Sequence, residues 1–230
     1  LDWPQMPAPD EDALTDDFSV WIAPMSEAQP LWVRESLREL IMEAGFRIEN
    51  SEQASADALI VLCPLGEDAS AMAYRLGLDG RRCVALDTLF AFGWQQCKLR
   101  SLMTTVTTSH ATMGKAMRLF GRDGARLAWL NDSPGFISQR VIGMIVSIAC
   151  DMAQQSVAEA ESIDDAVRIG LGYPLGPLSM GNALGPQRML AIMDGIHQVT
   201  QDPRYRPSLW LRRRAQAGES LLHHPVSLGS

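Results

Sequence analysis

The chain has 230 residues, a formal net charge of −7, 47% hydrophobic residues and 20% charged residues. This length allows one large domain or two small ones, and the composition is that of a soluble globular protein. The acidic balance argues against nucleic acid or an anionic membrane as the main partner, because both require a basic surface.

The first seventeen residues, 1–17, are rich in Pro, Asp and Glu and predict a linker within a longer chain. Over residues 18–130, short β-rich runs alternate with helical patterns, which predicts a mostly parallel α/β sheet. A continuously apolar run such as 58–63 is typical of a strand that is covered on both faces. The predicted strands are 18–24, 46–49, 58–63, 82–86, 99–105 and 126–129, and the predicted helices are 27–44, 68–78 and 112–120.

From residue 131 onward the pattern is helical. Ser133 and Pro134 predict a helix start, as the N-cap and the first helical residue. This helix is expected to continue to about Glu161, and its middle is apolar nearly all round, as in the centre of a bundle or in a subunit interface. Further helices are predicted from Ser162, with a capping box to Asp165 and an end at Gly170 and Gly172, and over 185–199 and 207–217, before a tail at 221–230.

The cysteines and the N-terminal sequence bear on the cellular compartment that is expected for this chain. Cys63, Cys83, Cys97 and Cys150 form no Cys-x-x-Cys pair and have no histidine at zinc-ligand spacing. We therefore expect free thiols in the reducing cytoplasm and no metal site. No basic leader precedes an apolar stretch, and the longest apolar run, 141–150, is too short to span a bilayer, so neither export nor a membrane partner is predicted.

Three motifs follow one another in the helical part: NDSPGFISQR at 131–140, AVRIGLGYPLGPL at 166–178 and DPRYRPS at 202–208. In this order and spacing they resemble the C-terminal domain of the 3-hydroxyacyl-CoA dehydrogenases. The resemblance implies a shortened α/β Rossmann-like domain at 18–130, followed by an all-α helical domain at 131–220 of the 6-phosphogluconate dehydrogenase C-terminal type. The scaffold residues that carry it are Asp132, Pro134, Gly135, Phe136, Arg140, Gly170, Gly172, Pro174, Gly176, Pro177, Pro207 and Ser208.

In this family an N-terminal Rossmann domain binds NAD, and a glutamate-oriented histidine takes the substrate hydroxyl proton as hydride passes to NAD. A dinucleotide-binding turn needs glycines, so that backbone N–H groups can approach the pyrophosphate. The turn after the first predicted strand, 24–30, has no glycine and carries Glu27, and the turn at 64–68 has one glycine beside two acids. We expect no cofactor-binding residue in this chain.

The family's catalytic positions can be placed through the segment 89–101. Its Cys-Lys-Leu aligns with the family's Met-Lys-Leu, which puts Leu89 at the histidine position and Ser101 at the glutamate position, while Gln139 stands for the asparagine after Pro-Gly-Phe. The active-site serine has no secure counterpart, and the nearest match is 84–88. Leucine cannot accept a proton, and His110, His197, His223 and His224 are expected in structural or tail positions, so no catalytic residue is predicted.

Three interpretations stay open. Some bacterial members carry a second, shortened Rossmann-like domain and a second helical domain, and this chain would then be a non-catalytic C-terminal half. It would form a homodimer through its helical domain and dock on the N-terminal catalytic half of an enzyme of fatty-acid (β-oxidation) or phenylacetate-type degradation. Alternatively, the chain is an active dehydrogenase with misaligned residues, or it binds acyl-CoA, with the five arginines of 204–214 meeting the CoA phosphates.

Overall fold

The computed structural model describes residues 17–90 and 98–223. Several predicted features therefore lie outside the described residues. These are the predicted linker up to residue 16, Cys97, and the part of the predicted tail from His224 onward. Contacts divide the chain into two units. The sheet unit contains the described residues up to 64 together with 68–136, and the helical unit contains 65–67 together with the described residues from 137 onward. The division after Phe136 lies six residues beyond the predicted domain boundary at 130.

The sheet unit is a layered α/β structure whose described strands form a six-stranded mixed sheet in the order β2-β1-β3-β4-β5-β6. All neighbouring strands are parallel except β4 and β5, which are antiparallel. The predicted mostly parallel sheet is confirmed, and every predicted strand is found within two residues of its expected ends. The elements are β1 (Ser19–Ile22), α1 (Leu31–Glu43), β2 (Arg47–Ile48), β3 (Leu59–Leu62), α2 (Ala69–Arg75), β4 (Cys83–Leu86), β5 (Leu99–Thr104), α3 (His110–Phe120) and β6 (Arg126–Leu130).

The burial of strand β3 on both faces explains why its residues are continuously apolar. All four side chains are buried, and they alternate between two hydrophobic clusters. Leu59 and Val61 belong to a cluster with α1 and α3, whereas Ile60 and Leu62 belong to a cluster with α2. Successive side chains of a strand point to opposite faces, so a sheet that is covered on both sides requires apolar residues at every position.

Helix α1 starts at Leu31, four residues later than predicted from the pattern. The residues before it form a turn, in which the backbone N–H of Gln29 donates to the carbonyl of Ser26. Pro30 follows with extended backbone angles as the N-cap. The residue before a proline is disfavoured in the α conformation, which explains why the helical pattern begins only after this proline.

The helical unit is built around α4 (Ile137–Gln154), which packs against each of the other described helices of the unit. Those helices are α5 (Ala160–Leu171), α6 (Pro177–Leu184), α7 (Pro186–Thr200) and α8 (Leu209–Ala217). Across residues 17–90 and 98–223, no helix has the length and apolar character needed to cross a membrane. The helical character predicted from residue 131 onward is thus confirmed, with α6 as a helix that the pattern did not indicate.

The predicted start and end of the long apolar helix are wrong. Gly135 has a φ of +72°, which a right-handed helix excludes, so Ser133 and Pro134 precede α4 and do not begin it. At the other end α4 stops at Gln154, and Ser156 has a φ of +54°. The sequence pattern continued because the residues after Gln154 are helix-compatible, but the left-handed residue redirects the chain.

The predicted ends of the next helix also change. Helix α5 begins at Ala160, so Ser162 and Asp165 lie inside it and form no capping box at its start. Gly170 lies within the helix as well. Gly172 alone ends it, with a φ of +68° that suits a glycine after the last helical turn.

Candidate functional site

The order of the strands identifies where the sheet unit could bind a ligand. Strand β1 lies between β2 and β3, so the chain leaves β1 on one side, for β2, and then crosses to the other side, for β3. In open α/β sheets, ligands bind outside the carboxyl ends of the strands at such a switch point. The turns after β1 and β3 therefore form the candidate site, and they are the two turns in which the sequence lacks a glycine-rich pattern.

The turn after β1 is bridged to the turn after β4 by a side-chain hydrogen bond. The Nε2 of Gln29 donates to the Oγ1 of Thr88 at 2.7 Å. Gln29 is 7% exposed, and Thr88 and the adjacent Leu89 are fully buried or nearly so. Since β3 lies between β1 and β4 in the sheet, this bond spans the carboxyl end of β3. This bond thus crosses the edge of the sheet at which a dinucleotide would have to lie.

The turn after β3 leads into α2, whose first N–H groups are already bound by carboxylates. The Oδ1 of Asp68 accepts a hydrogen bond from the N–H of Ala71 at 2.7 Å. The Oδ1 of Asp132 accepts from the N–H of Ala69 at 2.8 Å and more weakly from that of Ser70. Free N–H groups at a helix N-terminus attract phosphates. Here two acidic side chains take these donors and would repel a phosphate.

Glu49, directly after β2, was not singled out from the sequence. A Rossmann-like fold uses an acidic residue near this point of the chain for the ribose hydroxyls of NAD. Here the carboxylate accepts from the Oγ of Ser19 and the Oγ of Ser55, each at 2.5 Å. Burial raises the pKa of Glu49, but the hydrogen bonds from Ser19 and Ser55 outweigh it, and the net pKa is lowered. An acidic residue ending the second strand is a signal that could have been read from the pattern.

Leu89 and Ser101, two of the three positions that the sequence comparison assigned to the family's catalytic residues, are linked through Asp87. The backbone N–H of Leu89 donates to the Oδ1 of Asp87 at 3.0 Å. The backbone N–H of Asp87 donates to the carbonyl of Ser101, on β5, also at 3.0 Å. Leu89 is 1% exposed and thus buried in the core. A buried leucine supplies neither a proton acceptor nor access to one.

The described histidines lie at the positions that the pattern predicts for structural roles. His110 is the first residue of α3. His197 lies on α7 with its Nδ1 3.1 Å from the carbonyl oxygen of Asp202. The Nδ1 of His223 lies 3.9 Å from a carboxylate oxygen of Glu219 near the end of the described chain.

Gln139, the third substituted position, lies on α4 in the helical unit. Its side chain is fully buried, and its Oε1 accepts a hydrogen bond from the N–H of Gly66 at 2.9 Å. Gly66 belongs to the helical unit, although it lies between β3 and α2 in the chain. The amide oxygen of Gln139 is therefore bound to main chain.

The glycine and proline motifs of the helical unit have structural roles. Asp164 accepts hydrogen bonds from the N–H groups of Leu178 and Ser179, at 2.7 and 2.8 Å, and so caps α6. A Cβ at Gly176 would lie 2.3 Å from the carboxyl carbon of Asp164, so only glycine fits there. Pro177 is the first residue of α6, and Ser208 caps α8 through its Oγ. The motifs shape the helix termini and carry no chemistry.

The arginine run of 204–214 is largely engaged within the chain. Arg212 forms a bidentate ion pair with Asp194 at 2.5 and 3.0 Å. Arg204 pairs with Asp202 at 2.6 Å. Arg214 lies over the Trp210 ring at 3.2 Å from its centroid and donates to the carbonyl of His223. Three of the five arginines in the run thus have partners within the chain.

The cysteines of the described chain lie in its interior. Cys63, Cys83 and Cys150 are buried and stand outside any disulfide. Burial raises the pKa of Cys83 and of Cys150 to about 12, so both stay protonated at neutral pH. Within the part of the chain that the structure describes, no group of three or more His, Cys, Asp or Glu side chains could hold a metal ion.

Residues 135–222 match the family described as 3-hydroxyacyl-CoA dehydrogenase, C-terminal domain. The 3-hydroxyadipyl-CoA dehydrogenase of Escherichia coli K12 is 31% identical over 159 residues, which are 69% of this chain and 32% of that protein. The "Probable 3-hydroxybutyryl-CoA dehydrogenase" of Deinococcus radiodurans is 41% identical over 88 residues, 38% of this chain and 32% of that protein. The crystal structure of 3-hydroxybutyryl-CoA dehydrogenase from Escherichia coli K12 is 31% identical, with a TM-score of 0.60, over 68% of this chain and 31% of that one.

These matches confirm the resemblance that the three motifs indicated. The chain spans about a third of the length of the relatives it matches. The likeness therefore concerns one part of a longer enzyme architecture.

Proposed function

We propose that this chain, whose residues 135–222 match the C-terminal domain of the 3-hydroxyacyl-CoA dehydrogenases, is a non-catalytic C-terminal half of such an enzyme. The sheet unit is then a shortened Rossmann-like remnant, and the helical unit is a domain of the 6-phosphogluconate dehydrogenase C-terminal type. The parent enzyme, acting in the bacterial cytoplasm, oxidises 3-hydroxyacyl-CoA to 3-oxoacyl-CoA with NAD in fatty-acid or phenylacetate-type degradation. Its catalytic residues lie outside this chain.

The contacts at the carboxyl ends of the strands carry this proposal. Gln29 and Thr88 bond to each other across the carboxyl end of β3, where a dinucleotide would lie. The carboxylates of Asp68 and Asp132 hold the first N–H groups of α2, and Leu89 stands at the position of the family's general base. A dehydrogenase needs a cofactor site and a base. The first two observations argue against a cofactor site, and the third argues against a general base.

Calorimetry tests the proposal on the chain as it exists. NADH titrated into the chain is expected to give no binding heat, and acetoacetyl-CoA with NADH is expected to show no reduction above the uncatalysed rate. A catalytically intact 3-hydroxyacyl-CoA dehydrogenase, titrated under the same conditions, is the positive control. Binding of NADH in the micromolar range would overturn the proposal and favour an active domain whose catalytic residues lie at other positions.

A homodimer through the helical unit completes the proposal. Ile137, Val141, Ile148 and Met152 project from one face of α4 and are 36–59% exposed. Exposed apolar side chains on one helix face mark an interaction site. These four residues carry no charge, so a second copy of the chain can pair with the face across a two-fold axis without juxtaposing like charges.

Light scattering tests the proposed homodimer. We expect a dimer for the unmodified chain and a monomer for the double variant Val141→Glu/Ile148→Glu. Val199→Glu is the matched control, because Val199 is 51% exposed but lies on α7. A monomer at high concentration for the unmodified chain contradicts the homodimer. In that case, a one-to-one complex with the parent's N-terminal catalytic half would assign the α4 face to that partner.

A further inference from the structure

The helical unit contains three residues that are far from the rest of it in the chain. Leu65, Gly66 and Glu67 follow β3 and precede α2, yet their contacts place them with α4 and α7. We call these three residues the strap. Leu65 and Gly66 are buried, so the strap is part of the interior of the helical unit.

The strap lies with its main chain against the main chain of α7. A Cβ on Gly66 would be 2.2 Å from the carbonyl oxygen of Ile192. A Cβ on Gly195 would be 2.7 Å from the carbonyl oxygen of Leu65 and 3.0 Å from the carbonyl carbon of Gly66. Real side chains do not approach backbone atoms this closely. Two glycines on opposite sides of one contact therefore let the two backbones meet.

A hydrogen bond fixes the strap from the side of α4. The N–H of Gly66 donates to the Oε1 of Gln139, which is fully buried. Gly66 also has a φ of +73°, a conformation that favours glycine. A buried N–H that lost this acceptor would pay its full desolvation penalty. The strap is thus held by a polar contact from α4 and by close packing on α7.

We propose that the helical unit requires the strap as a structural element. The unit and the strap, which lies between β3 and α2 in the chain, then unfold and refold together. The family match covers residues 135–222 and leaves the strap out. A helical unit defined by those residues alone would present Ile192, Gly195 and Gln139 as an uncovered groove. The inference does not depend on the proposed function, because it follows from contacts within the helical unit.

Hydrogen exchange of the unmodified chain gives the first test. The amide of Gly66 is expected to exchange as slowly as the core amides of α7, because both are released in one opening event. The exposed loop between β2 and β3 is the internal reference for fast exchange. A Gly66 amide that exchanges at the rate of that loop, while α7 stays protected, would overturn the proposal.

Two alanine variants of the full chain give the second test. Gly195→Ala places a methyl group against the strap, whereas Gly170→Ala on α5 meets nothing within 4 Å. Alanine is the better helix former at both positions, so Gly170→Ala is expected to slow or leave unchanged the exchange of its helix. Gly195→Ala is expected to speed exchange in both α7 and α4 by about tenfold or more, because overpacking forces the strap away. If Gly195→Ala protects α7 as Gly170→Ala protects α5, the strap is dispensable and the proposal is wrong.

The variant Gln139→Leu covers the case in which Gly195→Ala does not fold. It removes the acceptor of the Gly66 N–H without adding a clash on α7. Exchange at Gly66 and in α7 is expected to speed up together. Faster exchange at Gly66 alone, with α7 unchanged, would contradict the requirement for the strap.

Discussion

Asp164 is expected to be the most sensitive polar side chain of the helical unit. It is 7% exposed and accepts hydrogen bonds from the first two free N–H groups of α6, on Leu178 and Ser179. The variant Asp164→Ala leaves one buried and one partly buried donor without an acceptor and opens space beside Gly176. An N-cap is worth about 1 kcal/mol, and each buried donor that loses its partner costs roughly 1–3 kcal/mol. Since these contributions overlap, we expect a loss of about 2–4 kcal/mol in the free energy of unfolding.

The neighbouring residue provides the control. Asp165 lies on the exposed side of α5 and pairs with Arg168 at 2.8 Å, with both side chains more than half exposed. A surface ion pair of this kind contributes about 0–1 kcal/mol. Urea unfolding, followed by circular dichroism at 222 nm, should therefore separate the two variants by about 2 kcal/mol. Equal midpoints for Asp164→Ala and Asp165→Ala would refute the capping argument.

Three further predictions concern charge, thiols and activity. Hydrogen bonds from Arg100 lower the pKa of Asp123 to about 2, so its stabilising contribution is fully present above the ordinary value of 3.8 and is lost as the pH falls through about 2; the stability difference between the unmodified chain and Asp123→Asn should shrink over that window in acid titrations. Cys83 and Cys150 should react with a thiol reagent only at the rate of unfolding, because burial raises both pKa values to about 12; fast labelling at neutral pH would contradict this. Leu89→His should not create acetoacetyl-CoA reduction, because the Gln29–Thr88 bond still crosses the edge of the sheet at which a dinucleotide would have to lie; measurable turnover would contradict this.

Local sequence patterns were sufficient to predict the strands of the sheet, whereas several helix ends depend on contacts with residues that are distant in the chain. The strand ends followed from apolar runs such as 58–63, because burial on both faces leaves a direct trace in the residue types. The predicted helix start at Ser133 was wrong for two reasons. The Asp132 carboxylate accepts a hydrogen bond from the N–H of Ala69, 63 positions away at the N-terminus of α2, and Gly135 turns the chain before α4 begins. No local pattern contains that information.

The candidate site shows the same division. The missing glycines after β1 and the substitution of the general base by Leu89 could be read directly from residue types. The Gln29–Thr88 bond could not, since it joins residues 59 positions apart. The contact between Gly66 and Gln139 joins residues 73 positions apart. Glu49 could have been noticed as an acid ending the second strand, but its pairing with Ser19 depends on the register of β1 and β2.

The strap also affects how the chain folds during synthesis. Leu65–Glu67 are synthesised long before α7, so one side of the contact between the strap and α7 leaves the ribosome well ahead of the other. Contacts between such distant residues form slowly, because a long loop must close first. If the sheet unit folds early, it holds the strap between the fixed ends of β3 and α2, so the late helices meet an ordered segment. A circular permutant that begins at α4 reverses this order of appearance and should fold at a different rate while reaching the same final structure.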